Sequence, residues 1–134
     1  MKKDITIEEV KNIAIAIAPV KLDSNEPQWS VYFLNLKDVA VETVLINAEG
    51  RGLIAGEEKH TAIMRFFIDK VEAKSFKKFE MILPDAFALS HQYWVSFYEG
   101  KNIYEKKYIF AANSINQDRM VMVPLIDKPG IFVH

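Results

Sequence analysis

Short runs of strand-forming residues, separated by turn residues, recur along the whole chain of 134 residues and limit its possible folds more than any other feature. β-branched and aromatic residues fill the runs, and Gly, Pro, Asn and Asp lie between them, as in antiparallel strands. The runs lie at residues 29–36, 39–50, 61–69, 75–83, 91–110 and 120–134. The pattern predicts one domain over residues 1–134, an all-β antiparallel β-sandwich of immunoglobulin-like or fibronectin type III-like architecture with about seven to nine strands.

The N-terminal segment is compatible with two structures. Thr6 followed by Glu9 forms a capping box, which favours a helix. Isoleucines alternate strictly with alanines over residues 13–18, which suits a strand equally well. We expect one turn of helix at most, then a strand at about residues 12–20, because the later strands need a sheet with which to pair.

The run at residues 39–50 has a clear alternation and ends at Gly50. Successive side chains on a strand point to opposite faces, so Val44 and Ile46 are predicted to share one face. The other face is predicted to carry Val39, Val41, Thr43, Leu45 and Asn47.

A terminal hairpin is predicted from residues 120–127 and 130–134. In the sequence KPGI, Pro129 suits the first corner of a type II turn, and Gly130 suits the second corner, which requires a positive φ. The turn is therefore expected at these two residues.

Seven of the twenty residues from His91 to Phe110 are aromatic, and they form a second predicted hairpin. A loop of two or four residues at Gly100 leaves Lys106 as the one charge on the inner face, where a lysine can extend its ammonium group to water. A three-residue loop would turn both Glu105 and Lys107 inward at a higher cost, so we predict the first register. The predicted pairs are Tyr93 with Tyr108, Trp94 with Lys107, Phe97 with Tyr104 and Tyr98 with Ile103.

This register divides the aromatic residues between core and surface. Tyr93 and Phe97 are predicted to face the core, whereas Trp94 and Tyr98 face outward, where a neighbouring segment or solvent would cover them if they have no partner. The run YWVSFY, after FALSHQ, also resembles the strand of immunoglobulin-like sandwiches that carries a tyrosine corner. In that resemblance, the hydroxyl of Tyr93 would donate to upstream backbone.

Composition and charge exclude several classes of protein. The chain has no cysteine, which excludes a disulfide framework, a thiolate zinc site and a cysteine nucleophile. Its formal net charge of −1, with both signs interspersed, gives no strong global attraction to nucleic acid or anionic membranes. No run approaches the roughly 18 apolar residues of a membrane span. We expect a soluble, cytoplasmic protein with no cofactor and no membrane partner.

Motifs of catalysis or metal binding are not recognisable. The histidines lie far apart, and no pair has the spacing of metal ligands on one element. Residues 49–60 contain three glycines but lack the ending of a phosphate-binding loop, which favours a flexible hairpin connection. Carboxylates stand together only as neighbours, such as Glu57 and Glu58, which point to opposite faces of a strand. We therefore expect neither a metal site nor catalytic residues. The three histidines are His60, His91 and His134.

Lysines are frequent in the second half of the chain. If the strand near Phe76 lies beside the aromatic hairpin, these lysines with Trp94 and Tyr98 would form an aromatic and cationic surface of the kind that binds single-stranded nucleic acid. The alternative is that lysines protect exposed strand edges from pairing with other chains. The lysines are Lys70, Lys74, Lys77, Lys78, Lys101, Lys106 and Lys107. The candidate binding residues are Trp94, Tyr98, Lys106 and Lys107.

Four segments resemble a family of small, uncharacterised bacterial β-sandwich proteins, some labelled by transfer as phenylalanyl-tRNA synthetase subunit-like. They are EPQWSVYFLNLKD, EGRG, YWVSFYEGKNIYEKKYIF and LIDKPGI. The resemblance implies no activity and assigns no functional residues. The chain has no adenylate-forming signature and is too short for a synthetase core, so the label would imply an accessory module at most.

Three functions follow as hypotheses. The first is a non-enzymatic binding module with a protein partner. The second is a nucleic-acid-associated accessory protein that uses Trp94, Tyr98 and the lysines. The third is a small enzyme, which would require a concave pocket between the sheets with convergent polar groups.

Overall fold

A computed structural model describes residues 9–21 and 28–134 of the chain. The described residues form ten β-strands, with short 3-10 helices at Pro84–Ala88 and Gln117–Arg119. The strands are β1 (Ile13–Lys21), β2 (Gln28–Asn35), β3 (Val41–Ile54), β4 (Glu57–His60), β5 (Met64–Val71), β6 (Ser75–Ile82), β7 (Ser90–Glu99), β8 (Asn102–Phe110), β9 (Val121–Val123) and β10 (Lys128–Val133).

The strands form two antiparallel sheets. Sheet I has the order β6-β2-β1-β10-β9. In sheet II, β3 pairs on one side with β7, which pairs in turn with β8. On its other side β3 pairs with both β4 and β5, which follow one another along the same edge. The predicted all-β antiparallel sandwich is confirmed.

The pairing order agrees with the immunoglobulin-like class. β1, β2 and β6 take the places of strands A, B and E in one sheet, and β3, β7 and β8 take the places of C, F and G in the other. β5 pairs with β3 and not with β6, as in fibronectin type III-like domains. The hairpin of β9 and β10 widens sheet I beyond β1, which brings the described strands to ten.

β1 confirms the strand interpretation of the N-terminal segment. Ile13, Ile15 and Ile17 point into the core between the sheets, and the alternating alanines point to the outer face of sheet I. The predicted capping box begins at Thr6, which lies outside the described residues.

The predicted register of the aromatic hairpin is also confirmed. Glu99 pairs with Asn102, which leaves a two-residue loop, and all four predicted pairs are present. Trp94 is 50% exposed and Phe97 only 1% exposed, so the two faces are assigned correctly.

β3 departs from its predicted alternation at a β-bulge. Thr43 has a φ of 51°, and the register with β7 shifts between Glu42 and Leu45. A bulge inserts one residue, so the side chains before it change faces. Val41 is therefore buried in the core, whereas it was predicted to share a face with Leu45. β3 also continues past Gly50 to Ile54.

The glycine-rich segment at residues 49–60 forms the predicted hairpin, and its two arms are regular strands. β3 and β4 pair from Arg51 with His60 to Ile54 with Glu57. The two-residue turn has φ values of 54° at Ala55 and 81° at Gly56, and positive values at both positions match the twist of a tight hairpin.

Gly130 has a different role from the one predicted. Pro129 and Gly130 lie within β10, and the hairpin turn is at residues 124–127, where Leu125 and Asp127 have positive φ. A Cβ on Gly130 would lie 2.8 Å from the carbonyl oxygen of Ile17. The glycine is required because β10 packs closely on β1, so the type II turn prediction is wrong.

The predicted tyrosine corner is wrong as well. The hydroxyl of Tyr93 donates to the Glu80 side chain of the opposite sheet at 3.0 Å, and not to upstream backbone. His91, two residues earlier, makes the bond to upstream backbone, with Nε2 2.8 Å from the carbonyl oxygen of Ala86.

Candidate functional site

The outer face of sheet II brings together large apolar side chains that remain exposed to solvent. Cross-strand pairing places Leu45 beside Phe67, and Tyr98 beside Ile103. Trp94 lies two residues before Ser96, which pairs with Leu45. All of these apolar side chains are more than a third exposed. We call this surface the open face; its apolar members are Leu45, Phe67, Trp94, Tyr98 and Ile103.

Charged side chains of both signs surround Trp94 on the open face. The ammonium group of Lys107 lies 5.3 Å from the centre of the indole ring, and the indole Nε1 donates to Glu105 Oε1 at 3.4 Å. Shallow depressions of about 270 and 330 Å³ flank the ring, and Arg65 lines both. The indole therefore lies between two hollows, each bordered by charged and apolar side chains.

Lys106 does not belong to this surface. It pairs with buried Val95, and its ammonium group lies 5.3 Å from the centre of the Tyr108 ring on the inner side of the sheet. Of the four predicted binding residues, the structure brings Trp94, Tyr98 and Lys107 together and places Lys106 on the opposite face.

Lys77 and Lys78, next to Phe76, are also absent from the open face. Their strand, β6, pairs with β2 at the edge of sheet I and not with the aromatic hairpin. The condition for the predicted nucleic-acid surface is therefore not met. Lys77 and Lys78 on β6, and Lys106 and Lys107 on β8, all lie on edge strands, as the edge-protection interpretation predicted.

A second concave feature lies between the sheets. Where β6 faces the connection from β4 to β5, the sandwich opens into a cleft of about 420 Å³. Apolar walls from Met64, Ile82 and Leu83 enclose polar groups from both sheets. The enzyme hypothesis requires a pocket of this kind, so the structure does not contradict it.

Glu80 and Tyr93 bond to each other inside this cleft. The hydroxyl of Tyr93 donates to Glu80 Oε1 at 3.0 Å. Burial raises the pKa of the Glu80 carboxyl, and the hydrogen bond from Tyr93 partly offsets that rise. The pKa of the Tyr93 hydroxyl is raised by its own burial and by the nearby carboxyl. Glu80 is thus a carboxyl group in a poorly hydrated position, and its hydrogen-bond donor, the Tyr93 hydroxyl, is uncharged.

His91 lines the cleft in its neutral form. A carbonyl oxygen only accepts hydrogen bonds, so the contact with Ala86 requires the proton on Nε2. Burial lowers the pKa of the imidazole, although the bond to Ala86 opposes this. Above its ordinary pKa of 6.5 the ring is therefore uncharged and held by the backbone.

Thr61 provides an aliphatic hydroxyl group in the cleft, and local bonds occupy it. Its Oγ1 accepts from the N–H of Gly50 at 2.9 Å and donates to the carbonyl oxygen of Ala62 at 3.1 Å. A nucleophile needs a base within hydrogen-bond reach, which these contacts do not supply. Within the described residues, no group of three or more His, Asp or Glu side chains could hold a metal ion.

The sequence predicted part of the open face as a site. It did not predict Glu80 or Tyr93 of the cleft as site residues. Alternation had placed Leu45 with Asn47 on one side of β3, and the paired phenylalanines at residues 66–67 imply that one of them is exposed. Glu80 gave no such signal, because a bulge in β6 determines its direction.

Comparison with known proteins found no match. No family model fits the chain, and neither the curated proteins nor the solved structures include a significant relative. Over residues 9–21 and 28–134, no helix has the length and apolar character needed to cross a membrane.

Proposed function

We propose that the chain is a non-enzymatic protein-interaction module that docks its partner on the open face. The observation that carries this proposal is the contiguous set of half-exposed apolar side chains around Trp94 and Leu45. Exposed apolar residues are common singly, but a contiguous patch with a charged rim is typical of protein-binding surfaces. Tryptophan and tyrosine are also the residues most often found at the energetic centre of such interfaces.

A protein partner fits this surface better than nucleic acid does. Phosphate binding needs an excess of positive charge, and the open face carries both signs. Arg65, Lys107 and Glu49 line one depression beside Trp94. Glu105 accepts a hydrogen bond from the indole of Trp94. The surface is therefore suited to a partner with an apolar centre and charges of both signs at its rim.

A second copy of this chain has that pattern. The row of Leu45, Phe67 and Ser96 lies midway along the open face. A two-fold axis along this row would turn each strand of the face onto the same strand of the other copy. Trp94 and Tyr98 lie two positions before and after Ser96, on opposite sides of the row. The axis would therefore bring Trp94 of one copy against Tyr98 of the other.

The charges agree with the same axis. On β5, Arg65 and Asp69 lie two residues before and after Phe67, so alternation places all three on the open face. The axis sets Arg65 of each copy against Asp69 of the other. This complementarity favours a face-to-face dimer as the first partner of the module.

The oligomeric state, measured by sedimentation velocity over a series of concentrations, tests the proposal. We expect a monomer–dimer equilibrium, and Trp94→Ala should weaken it by about tenfold or more while the chain stays folded. Arg119→Asp reverses an exposed charge in the second 3-10 helix and is the matched control, with no expected effect.

A charge exchange tests the geometry itself. Arg65→Asp and Asp69→Arg each place like charges opposite one another and should weaken the dimer, whereas the double variant should restore it. A chain that stays monomeric throughout, or a double variant weaker than either single one, would overturn the dimer. Salt-sensitive retention of that monomer on RNA would instead favour the nucleic-acid hypothesis.

A further inference from the structure

The cleft between the sheets contains a carboxyl group without a cationic partner. Among the described residues, Tyr93 supplies the hydrogen bond to Glu80, and no lysine or arginine forms an ion pair with it. A partly buried carboxylate is costly unless a charge or several donors compensate it. Glu80 therefore remains available to a cationic ligand.

The backbone directs Glu80 into the cleft. The register of β6 with β2 shifts between Val31 paired with Glu80 and Tyr32 paired with Lys78, so Phe79 is the extra residue of a bulge. Without the bulge, Phe79 and Glu80 would point to opposite faces. With it, Phe79 packs on the ring of Tyr93, and Glu80 also reaches the Tyr93 hydroxyl. Bulges often serve to re-aim a side chain in this way.

The described residues that line the cleft include three acids and no lysine or arginine. Glu49, Glu80 and Asp85 contribute the carboxyl groups. His91 adds no positive charge above its lowered pKa. Glu49 already pairs with Arg51 at 3.4 Å, which leaves Glu80 and Asp85, the latter in the first 3-10 helix, as the available acids.

We propose that the cleft binds a small organic ammonium ion, a protonated amine with an apolar body. The ammonium group donates to Glu80, and the apolar part lies against Ile82, Leu83 and Met64. A bare metal ion is a poorer fit, since the described residues offer no cluster of three ligands. This site is separate from the open face, so it stands or falls independently of the proposed dimer.

The test uses n-butylammonium chloride as the probe, followed by chemical-shift changes of backbone amides in the whole chain. We expect saturable shifts at Leu83, Ala86 and His91, and none from n-butanol or n-butyrate at the same concentrations. Equal shifts from butanol would show apolar binding alone and would overturn the ammonium assignment. Absence of shifts from the amine would overturn the site.

Two variants identify the carboxylate. Glu80→Gln keeps the shape and the acceptor for Tyr93 but removes the charge, and it should weaken binding by about tenfold to a hundredfold. Glu105→Gln removes a carboxylate from the open face and should bind as the unmodified chain does. If Glu80→Gln proved unfolded, Asp85→Asn would be measured in its place with a smaller loss expected; unchanged affinity in the folded variant contradicts the proposal.

The pH dependence provides a further readout. Glu49, Asp85, His91 and Tyr93 are the other titratable groups that line the cleft. Burial raises the pKa of Glu80, so affinity should fall as the pH decreases through that raised value, while the amine stays protonated. Glu80→Gln should lose this dependence, whereas binding insensitive to acid in both chains would contradict the role of Glu80.

Discussion

The outer faces of the two sheets are both apolar but have different surroundings. The outer face of sheet I carries the alanines of β1 with Tyr32 and Leu34, all buried. Val123, Leu125, Ile126 and Phe132 of the terminal hairpin, which extends the same sheet, pack against these side chains. The open face of sheet II carries larger side chains, and no described segment of the chain packs over Trp94 or Leu45.

Among the described residues, one apolar face is therefore covered by the chain itself and the other is exposed. Small side chains lie where β10 meets β1, because a Cβ on Gly130 would come within 2.9 Å of the Cβ of Ala18. The open face has large side chains and a charged rim instead. The first arrangement stabilises the monomer, whereas the second contributes little to folding and is available for binding.

The same substitution on the two faces gives the largest expected contrast. Leu34→Ala removes a fully buried side chain and should lower the free energy of unfolding by about 2–5 kcal/mol. Leu45→Ala, at a side chain that is 48% exposed, should cost about 1 kcal/mol or less. Urea unfolding of both variants at a concentration where the chain is monomeric measures the difference. Equal losses would mean that the open face is covered in solution.

Adding one methyl group should disturb the contact between β10 and β1. Gly130→Ala places a Cβ 2.8 Å from the carbonyl oxygen of Ile17 and 2.9 Å from Ala18 Cβ, so the hairpin must move away from β1. We expect a loss of about 1–3 kcal/mol in the free energy of unfolding. Gly100→Ala is a useful comparison, because its Cβ meets no neighbour and its cost comes only from a φ of 62°. A neutral Gly130→Ala would contradict the close packing.

The cleft adds an intermediate case, a carboxyl group that is neither fully covered nor free. Since the pKa of Glu80 is raised in the folded chain, its ionisation lowers stability as the pH rises from the ordinary value of 4.5 through the raised value. Glu80→Gln lacks this loss, so its advantage over the unmodified chain should grow over that window and then stay constant. Urea unfolding at a series of pH values measures it.

A matched variant extends the same measurement. Tyr93→Phe removes the donor that lowers the pKa of Glu80, so the loss of stability should continue to higher pH than in the unmodified chain. Stability curves of the unmodified chain and Glu80→Gln that run parallel at all pH values would contradict the buried carboxyl.

The smallest effect is expected at the rim of the open face. Lys107→Gln removes the ammonium group over the Trp94 ring, an exposed cation–π contact that contributes about 0.5–1 kcal/mol. The free energy of unfolding in urea should fall by no more than this amount, and the tryptophan emission should shift because the charge beside the indole is lost. A loss above about 1 kcal/mol in the free energy of unfolding would show that Lys107 contributes to the stability of the fold.

Much of the fold could be predicted because it depends on local alternation. The hairpin of β7 and β8 had one register that kept all but one charge off the inner face, and the structure has that register. Val41, Gly130 and Glu80 were different. Their directions depend on bulges at Thr43 and Phe79 and on the contact between β10 and β1, which join residues distant in sequence.

The sequence by itself determined the all-β class, the strands of the aromatic hairpin and the outward direction of Trp94 and Tyr98. Period-two alternation carries that information, because it specifies which side chains share a face of one strand. It does not specify which segment packs over that face. Only the tertiary structure decided that the terminal hairpin joins sheet I and packs against the alanines of β1, that the lysines of β6 lie away from Trp94, and that Glu80 meets Tyr93 between the sheets.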